Sequence, residues 1–203
     1  MKNLQFKQLL LLSDTQKKAN QVLFQKRFNL ITADDNSVGK STLAKLLLWT
    51  FGCEPDFDST WKSTDCKCLV DFSIDGTNYK ILRYQNFISL KEENQEILKY
   101  TNIGGDYSKK FAELVDFKVL LPKRGSDETE LVTPPPAYYF LPFYMDQKNS
   151  WSKTWNSFGK LGQFDSWQKT VIKYHLGYLS PKHFELEQDL SDKTTFTNTE
   201  NQD

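Results

Sequence analysis

Four consecutive residues, Gly39, Lys40, Ser41 and Thr42, have the side chains and the order needed to hold a phosphate chain. Main-chain N–H groups at the start of a helix donate to anionic oxygens, and a glycine lets the main chain come close to them. Lysine adds a positive charge between the β- and γ-phosphates, serine ligates Mg²⁺, and threonine donates to an α-phosphate oxygen. The run therefore predicts a site for a nucleoside triphosphate with Mg²⁺.

The loop in front of this run departs from the full pattern G-x-x-x-x-G-K-[ST]. Asp34 occupies the position of the first glycine. Aspartate tolerates left-handed main-chain angles better than most residues, so the turn remains possible. Its carboxylate must then point away from a bound nucleotide, because both groups are negatively charged.

Short apolar runs on both sides of the loop predict the elements that hold it in place. Three strands are predicted before it and a Leu-rich helix after it, at 4–12, 22–24, 28–32 and 43–51. The third strand runs straight into the loop, and Gly52 ends the helix as a C-cap. A strand, a loop and a helix in this order are the context that supports a phosphate-binding motif.

The rest of the chain alternates between strand and helix patterns. Strands are predicted at 68–74, 79–84, 87–90 and 96–98, the first two joined by an Asp75-Gly76 turn. Helices are predicted at 107–117 and 167–179, and 137–145 is a strongly apolar, aromatic run. Residues 181–203 are mainly charged and polar.

Composition gives weaker information about partners and compartment. The 203 residues carry 26 basic and 26 acidic side chains, so net charge gives no general attraction to DNA or a membrane. Three cysteines do not suggest a disulfide framework, and Cys66-Lys67-Cys68 is too tightly spaced for the usual pair of zinc ligands. No apolar run reaches the length of a membrane helix, so a cytoplasmic protein without membrane contact is expected.

The segment Ile31–Leu43 resembles the phosphate loop of SMC and SbcC-type DNA-repair ATPases, commonly I-x-G-x-N-G-x-G-K-S-x-L. Asn36 matches the asparagine of that family, whereas Ala33/Asp34 and Ser37 depart at its glycines. The resemblance implies an ATP site with Mg²⁺ in which Lys40 also serves catalysis. Its nucleotide contacts are expected from eight residues: Asp35, Asn36, Ser37, Val38, Gly39, Lys40, Ser41 and Thr42.

The segment Phe140–Trp151 resembles the Q-loop of the same family. There a buried strand ends in a glutamine that reaches Mg²⁺ and the attacking water, which implies that Gln147 is catalytic and, with Ser41, a metal ligand. A neutral amide can accept on one side and donate on the other, as that role requires. Two alternatives stay open: Gln147 ends the run without a role in chemistry, or Asp146 is a Walker B carboxylate.

The resemblance also implies an architecture. The expected fold is α/β, the N-terminal lobe of an ABC/SMC-like P-loop NTPase, with a mixed sheet around the phosphate-loop helix and an antiparallel β-subdomain. This ATP-binding lobe is expected at 1–180, followed at 181–203 by the start of a coiled coil or a disordered tail. The family's Walker B carboxylate, signature motif and switch histidine are not convincingly present. ATP hydrolysis is therefore expected only if a C-terminal lobe completes the site.

The function implied by the resemblance is ATP-dependent engagement of two ATPase heads, in DNA repair, chromosome maintenance or antiphage defence. The expected partners are a C-terminal lobe or second protomer, with DNA and a nuclease or effector subunit as further candidates. The alternative is a nucleotide-binding regulatory or assembly module that does not hydrolyse ATP. A kinase that uses the same loop is disfavoured, because only three arginines are available to close over a substrate.

Overall fold

Strands with alternating apolar residues build a sheet from the first hundred residues of the chain. The structure is a computed structural model that describes residues 2–35, 39–125, 131–148, 150 and 155–200. Its elements in chain order are β1 (Leu4–Ser13), β2 (Lys18–Leu23), α1 (Lys40–Thr50), β3 (Cys66–Ile74), β4 (Thr77–Tyr84), β5 (Phe87–Glu92), β6 (Ile97–Tyr100), α2 (Asp106–Val115), β7 (Leu121–Pro122), β8 (Leu131–Val132), α3 (Ala137–Phe140), α4 (Trp167–His175) and α5 (Pro181–Glu200).

The main sheet has six strands in the order β2-β1-β3-β4-β5-β6, and each neighbouring pair is antiparallel. The predicted turn between β3 and β4 is confirmed: Asp75 and Gly76 connect the strands with φ angles of 48° and 92°. Two consecutive left-handed residues match the right-handed twist of the flanking strands, which explains the Asp-Gly pair. A separate two-stranded pairing joins β7 to β8.

One face of the sheet is buried and the other remains partly open. Along β3, Cys68, Val70 and Phe72 are buried, whereas Leu69 and Asp71 between them are half-buried. This alternation follows from the two-residue period of a strand. The C-terminal half of α1, residues 46–50, is buried as well, so this part of the helix belongs to the core of the molecule.

Phe51 and Arg83 fix the C-terminal end of α1. The ring of Phe51 is fully buried and contacts four aromatic rings, those of Phe6, Phe72, Phe111 and Phe140. Arg83 is 2% exposed, and its Nη1 donates to the Trp49 and Cys53 carbonyls at 2.6 and 3.1 Å. The Trp49 carbonyl also accepts from the Gly52 N–H at 2.9 Å, so Arg83 gives it a second donor and links the helix end to Cys53 just beyond it.

The segment 28–32, predicted as the third strand, forms no strand. Phe28 and Leu30 are 91% and 89% exposed, so this apolar stretch is not part of the core. A strand is stable only when its N–H and C=O groups pair with a neighbour. Within the described part of the chain, no strand pairs with this segment, and the prediction is wrong for that reason.

The run 137–145, for which the resemblance to the Q-loop predicts a buried strand, is helical from 137 to 143 instead. It forms α3 and then a 3-10 turn at Leu141–Phe143. Pro136 stands at the N-cap, where the main-chain N–H that proline lacks is not needed, and the Tyr139 N–H donates to its carbonyl at 3.0 Å. Pro142 also disfavours a strand at this position, because proline has no N–H to donate to a neighbouring strand.

The helices predicted at 43–51, 107–117 and 167–179 are confirmed as α1, α2 and α4 within a few residues at each end. The segment 181–200 is also helical, as α5, while its role as the start of a coiled coil stays a prediction. Within the described ranges, none of the helices has the length and apolar character required to cross a lipid bilayer.

Candidate functional site

The N-terminal end of α1 carries the predicted phosphate site. Gly39 is the N-cap with φ 93° and ψ 10°, a left-handed conformation that a glycine adopts without strain. Its carbonyl accepts the first intrahelical bond, from the Leu43 N–H at 2.9 Å. Among the residues that the structure describes, no side chain hydrogen-bonds this cap, and the first turn holds no acidic residue. The N–H groups of that turn have no acceptor within the helix and are suited to an anion.

Lys40 and Ser41 begin the helix at the surface. Lys40 is half-buried, and its Nζ donates to the main-chain carbonyl of Asp35 at 2.8 Å, so the ammonium group points back toward Asp35. Ser41 is exposed and Thr42 is half-buried. Asp35 is exposed, whereas the predicted contacts at 36–38, which are Asn36, Ser37 and Val38, lie outside the described residues.

A buried ion pair joins α1 to the segment that follows α3. Lys45 Nζ lies 3.3 Å from Asp146 Oδ1, with 14% and 2% of the two side chains exposed. Ser41 and Lys45 are four residues apart and therefore share one face of the helix. The pair thus brings the predicted Q-loop segment beside the helix face that carries Ser41.

Gln147 is exposed and lies between two residues that are tied to this region. Asp146 on one side pairs with Lys45. Lys148 on the other side places its Nζ 2.9 Å from Asp56 Oδ2, and this hydrogen bond raises the pKa of the Lys148 ammonium group. Lys45 Nζ also donates to the Asp56 carbonyl at 2.5 Å. Asp56 therefore contacts both Lys45 and Lys148. The main chain at Gln147 is therefore held between two anchored neighbours, while its side chain is exposed to solvent.

The carboxylate of Asp146 is engaged on both oxygens. Oδ1 accepts from Lys45 and, at 3.3 Å, from the Tyr144 hydroxyl, while Oδ2 accepts from the Lys148 N–H at 3.1 Å. Burial and the nearby Asp146 carboxylate raise the pKa of the Tyr144 hydroxyl, which keeps it a donor. This arrangement positions the segment. It favours a supporting role for Asp146 over the alternative of a metal-binding carboxylate.

Large apolar side chains stand exposed on two segments next to this site. Phe28 and Leu30 lie on the segment that leads into the phosphate loop. Met145 is 83% exposed and Phe143 is 59% exposed, and both precede Gln147. Large exposed apolar side chains on segments that adjoin the site in sequence are candidates for a surface that another part of a protein covers.

Sequence reasoning missed three residues that shape the site: Lys45, Asp56 and Lys148. Each acts through a long-range contact, which a single sequence does not reveal. The one available signal was the four-residue spacing between Ser41 and Lys45, which places a charged side chain on the same helix face as the phosphate residues.

The fold and the site define an α/β chain with an antiparallel sheet and an uncapped helix N-terminus that starts at Gly-Lys-Ser-Thr. No protein-family model matches it. It is similar to Lamassu protein LmuB of Bacillus cereus (strain VD014), with 28% identity over 180 residues, which are 88% of this chain and 31% of the relative. A Lamassu protein LmuB of Bacillus sp. (strain NCIM 5461 / CCTCC AB 2011126 / NIO-1130) is 26% identical over 136 residues, 66% of this chain and 23% of the relative.

The chain therefore spans less than a third of the length of these curated relatives. The first alignment nevertheless takes in most of this chain, so it extends well beyond the phosphate loop.

Proposed function

We propose that this chain is the ATP-binding N-terminal part of an SMC-like ATPase that acts in antiphage defence. The observation that supports the ATP site most directly is the start of α1 at a left-handed Gly39, which no side chain of the described residues caps. The similarity to two Lamassu LmuB proteins favours antiphage defence over DNA repair and chromosome maintenance. The resemblance of the phosphate loop and the Q-loop to SMC and SbcC-type ATPases supports the enzyme class.

In this proposal the first turn of α1 binds the phosphates of ATP through its main-chain N–H groups. The Nζ of Lys40 leaves the Asp35 carbonyl, a neutral acceptor at the surface, for the more strongly charged phosphates. Asp34 and Asp35 are both exposed, so their carboxylates can turn toward solvent instead of the nucleotide.

In this proposal the Ser41 hydroxyl and the Gln147 amide oxygen would hold Mg²⁺ together with phosphate oxygens. Within the described ranges, no group of three His, Cys, Asp or Glu side chains could hold a metal ion by itself. A site made of two neutral oxygens fits Mg²⁺ brought in with a triphosphate, because Mg²⁺ commonly keeps phosphates and waters as ligands. When bound, the ion neutralises phosphate charge.

The missing hydrolytic residues are proposed to come from a C-terminal lobe of a longer protein or from a second protomer. The exposed side chains of Phe28, Leu30 and Met145 support this, because they offer apolar area next to the site. The curated relatives are more than three times as long as the part that aligns here. Two such heads, with nucleotides between them, then engage head to head and act on DNA or on a nuclease or effector subunit.

The helix α5 is proposed to begin the coiled-coil arm of such a head. Phe184 is fully buried, which anchors the first turn of the helix to the rest of the chain. Leu186 and Leu190 are 53% and 66% exposed and lie four residues apart, so they form an apolar stripe on one helix face. A partner helix that packs on this stripe would bury both side chains.

A module that binds ATP without hydrolysing it remains the second candidate function. The observation in its favour is Asp146, the acidic residue of the apolar run, whose two carboxylate oxygens already accept hydrogen bonds. Addition of the C-terminal part of the longer protein separates the candidates. Turnover that appears with this part supports the ATPase, and nucleotide binding without turnover in the completed protein supports the module.

Binding of Mg-ATP to the wild type and to Lys40→Ala, measured by calorimetry, tests the ATP site. We expect Lys40→Ala to bind at least about tenfold more weakly, since it loses a charge-assisted bond to phosphate. Lys109→Ala, which removes an exposed lysine of α2, is the matched control and should bind like the wild type. Equal affinity of Lys40→Ala and the wild type would overturn the proposal.

A further inference from the structure

Two thiols lie side by side at the start of β3. Cys66 and Cys68 are two residues apart in an extended strand, so their side chains point to the same face of the sheet. Their sulfur atoms are 3.8 Å apart, within hydrogen-bond distance for sulfur. The third cysteine of the chain, Cys53, is buried separately in the core.

The two thiols differ in exposure and in acidity. Cys66 is half-buried and lines a surface cleft of about 480 Å³ together with Trp61, Asp65 and Arg83, whereas Cys68 is fully buried. The hydrogen bond from Cys68 lowers the pKa of the Cys66 thiol by more than burial raises it. The same hydrogen bond and burial raise the pKa of the Cys68 thiol. The Cys66 sulfur, which lines the cleft, is thus the more nucleophilic of the two, and the buried Cys68 sulfur lies next to it.

We propose that Cys66 and Cys68 form an oxidation-sensitive dithiol that a hydroperoxide converts to a disulfide. The Cys66 thiolate attacks one oxygen of hydrogen peroxide, the O–O bond breaks, hydroxide leaves, and a sulfenic acid forms on Cys66. The Cys68 sulfur then attacks the Cys66 sulfur and the S–O bond breaks. The thiol proton of Cys68 leaves with the hydroxyl group as water. The dithiol gives up two electrons and the peroxide accepts them. This reaction does not depend on nucleotide binding.

Strand geometry makes the product distinguishable from the reduced state. Residues two apart in a strand have Cα atoms about 6.6 Å apart, near the long end of the range that disulfides span. Closure therefore draws the first residues of β3 together. In the reduced protein Cys66 pairs with Ser13 and Cys68 pairs with Leu11, so the change acts on the β1–β3 ladder.

Peroxide treatment followed by mass spectrometry tests the proposal. The fully reduced chain is treated with about one equivalent of hydrogen peroxide and then alkylated under denaturing conditions. We expect a monomer with two fewer alkylated thiols, and peptide analysis should assign the bond to Cys66 and Cys68. Cys53→Ser is the matched control and should give the same product, because this thiol is buried elsewhere.

Variants separate the two steps. In Cys68→Ser, or in Cys68→Ala if serine unfolds the buried site, Cys66 sulfenic acid should accumulate and be trapped by dimedone. In Cys68→Ala, alkylation of Cys66 should also slow by roughly three- to tenfold, because the stabilising hydrogen bond is lost, whereas the hydroxyl of Cys68→Ser can still donate. Cys66→Ser should give neither the adduct nor the disulfide. Equal dimedone labelling of wild type and Cys68→Ser would overturn the proposal, as would oxidation of Cys53 first or a product made of covalent dimers.

Discussion

The two ends of helix α1 have opposite environments. At its C-terminal end, Phe51 is packed among aromatic rings and Arg83 donates to the buried Trp49 and Cys53 carbonyls. At its N-terminal end, Gly39 has no side-chain cap, Ser41 is exposed, and the preceding segment presents Phe28 to solvent. One end holds the fold together, and the other leaves main-chain donors open for a ligand.

This difference indicates which end of α1 contributes to stability and which end is suited to bind a ligand. A helix end whose polar groups are satisfied internally contributes to stability and has nothing left to offer a ligand. An end with unsatisfied donors contributes less to stability and can bind an anion. Substitutions at the two ends should therefore separate effects on unfolding from effects on binding.

The largest expected effect is the loss of stability in Arg83→Met. The substitution keeps much of the side-chain volume but leaves the buried Trp49 and Cys53 carbonyls without this donor, and it removes the partner of Glu54. We expect the free energy of unfolding to fall by about 3–5 kcal/mol. Denaturant titration measures this free energy of unfolding. In Arg124→Met, which breaks the exposed pair with Asp165, the loss should stay below about 1 kcal/mol, and equal losses would contradict the comparison.

A smaller loss of stability is expected for Asp146→Asn, because it removes one charge of a buried pair and keeps the shape. Lys45 loses its ionic partner while the hydrogen bond from the Lys148 N–H is retained. We expect the free energy of unfolding to fall by roughly 1–3 kcal/mol in urea. Asp165→Asn at the exposed pair is the control. If both variants lose the same amount, the ion pair does not anchor the segment to α1.

Phe28→Glu with Leu30→Glu should change assembly and leave stability nearly untouched. Both side chains are about nine-tenths exposed, so the free energy of unfolding should stay within about 0.5 kcal/mol of the wild type. Association with the C-terminal part of the longer protein should be lost, because two charges then occupy the apolar contact. Pull-down or sedimentation velocity measures the association. Normal association would show that the partner lobe binds elsewhere.

The smallest effect on the isolated chain is expected for Gln147→Ala. Its side chain is exposed and the contacts of its neighbours with α1 remain, so stability should not change measurably. Mg-ATP affinity should stay near that of the wild type, because Ser41, the phosphates and water remain as ligands of Mg²⁺. ATP-dependent engagement of two heads should nevertheless be lost in the completed protein. Calorimetry and light scattering with and without ATP separate these outcomes. A large drop in nucleotide affinity would contradict the proposed role of Gln147.

Sequence patterns predicted the local elements better than the ones that depend on distant partners. The Asp75-Gly76 hairpin and the helices α1 and α2 were predicted because turn preference and apolar period act over a few residues. The strand at 28–32 failed, since a strand needs a neighbour and none is provided within the described residues. The strand expected at 137–145 failed because the proline run before it starts a helix.

The candidate site was predicted in the same uneven way. The residues from Gly39 to Thr42 were found because their chemistry depends on consecutive positions at one helix end. The ties from Asp146 to Lys45 and from Lys148 to Asp56 were not found, because they join residues about ninety or more positions apart.

By itself, the sequence determined that a helix follows the phosphate loop and which residues stand at its start, because glycine, helix propensity and the Gly-Lys-Ser-Thr order act locally. Only the tertiary structure decided that Asp146 and Asp56 reach α1 and that Phe28 and Leu30 remain outside the core. The physical reason is that burial and ion pairing depend on which surfaces the folded chain brings together, and no local pattern of residues specifies that.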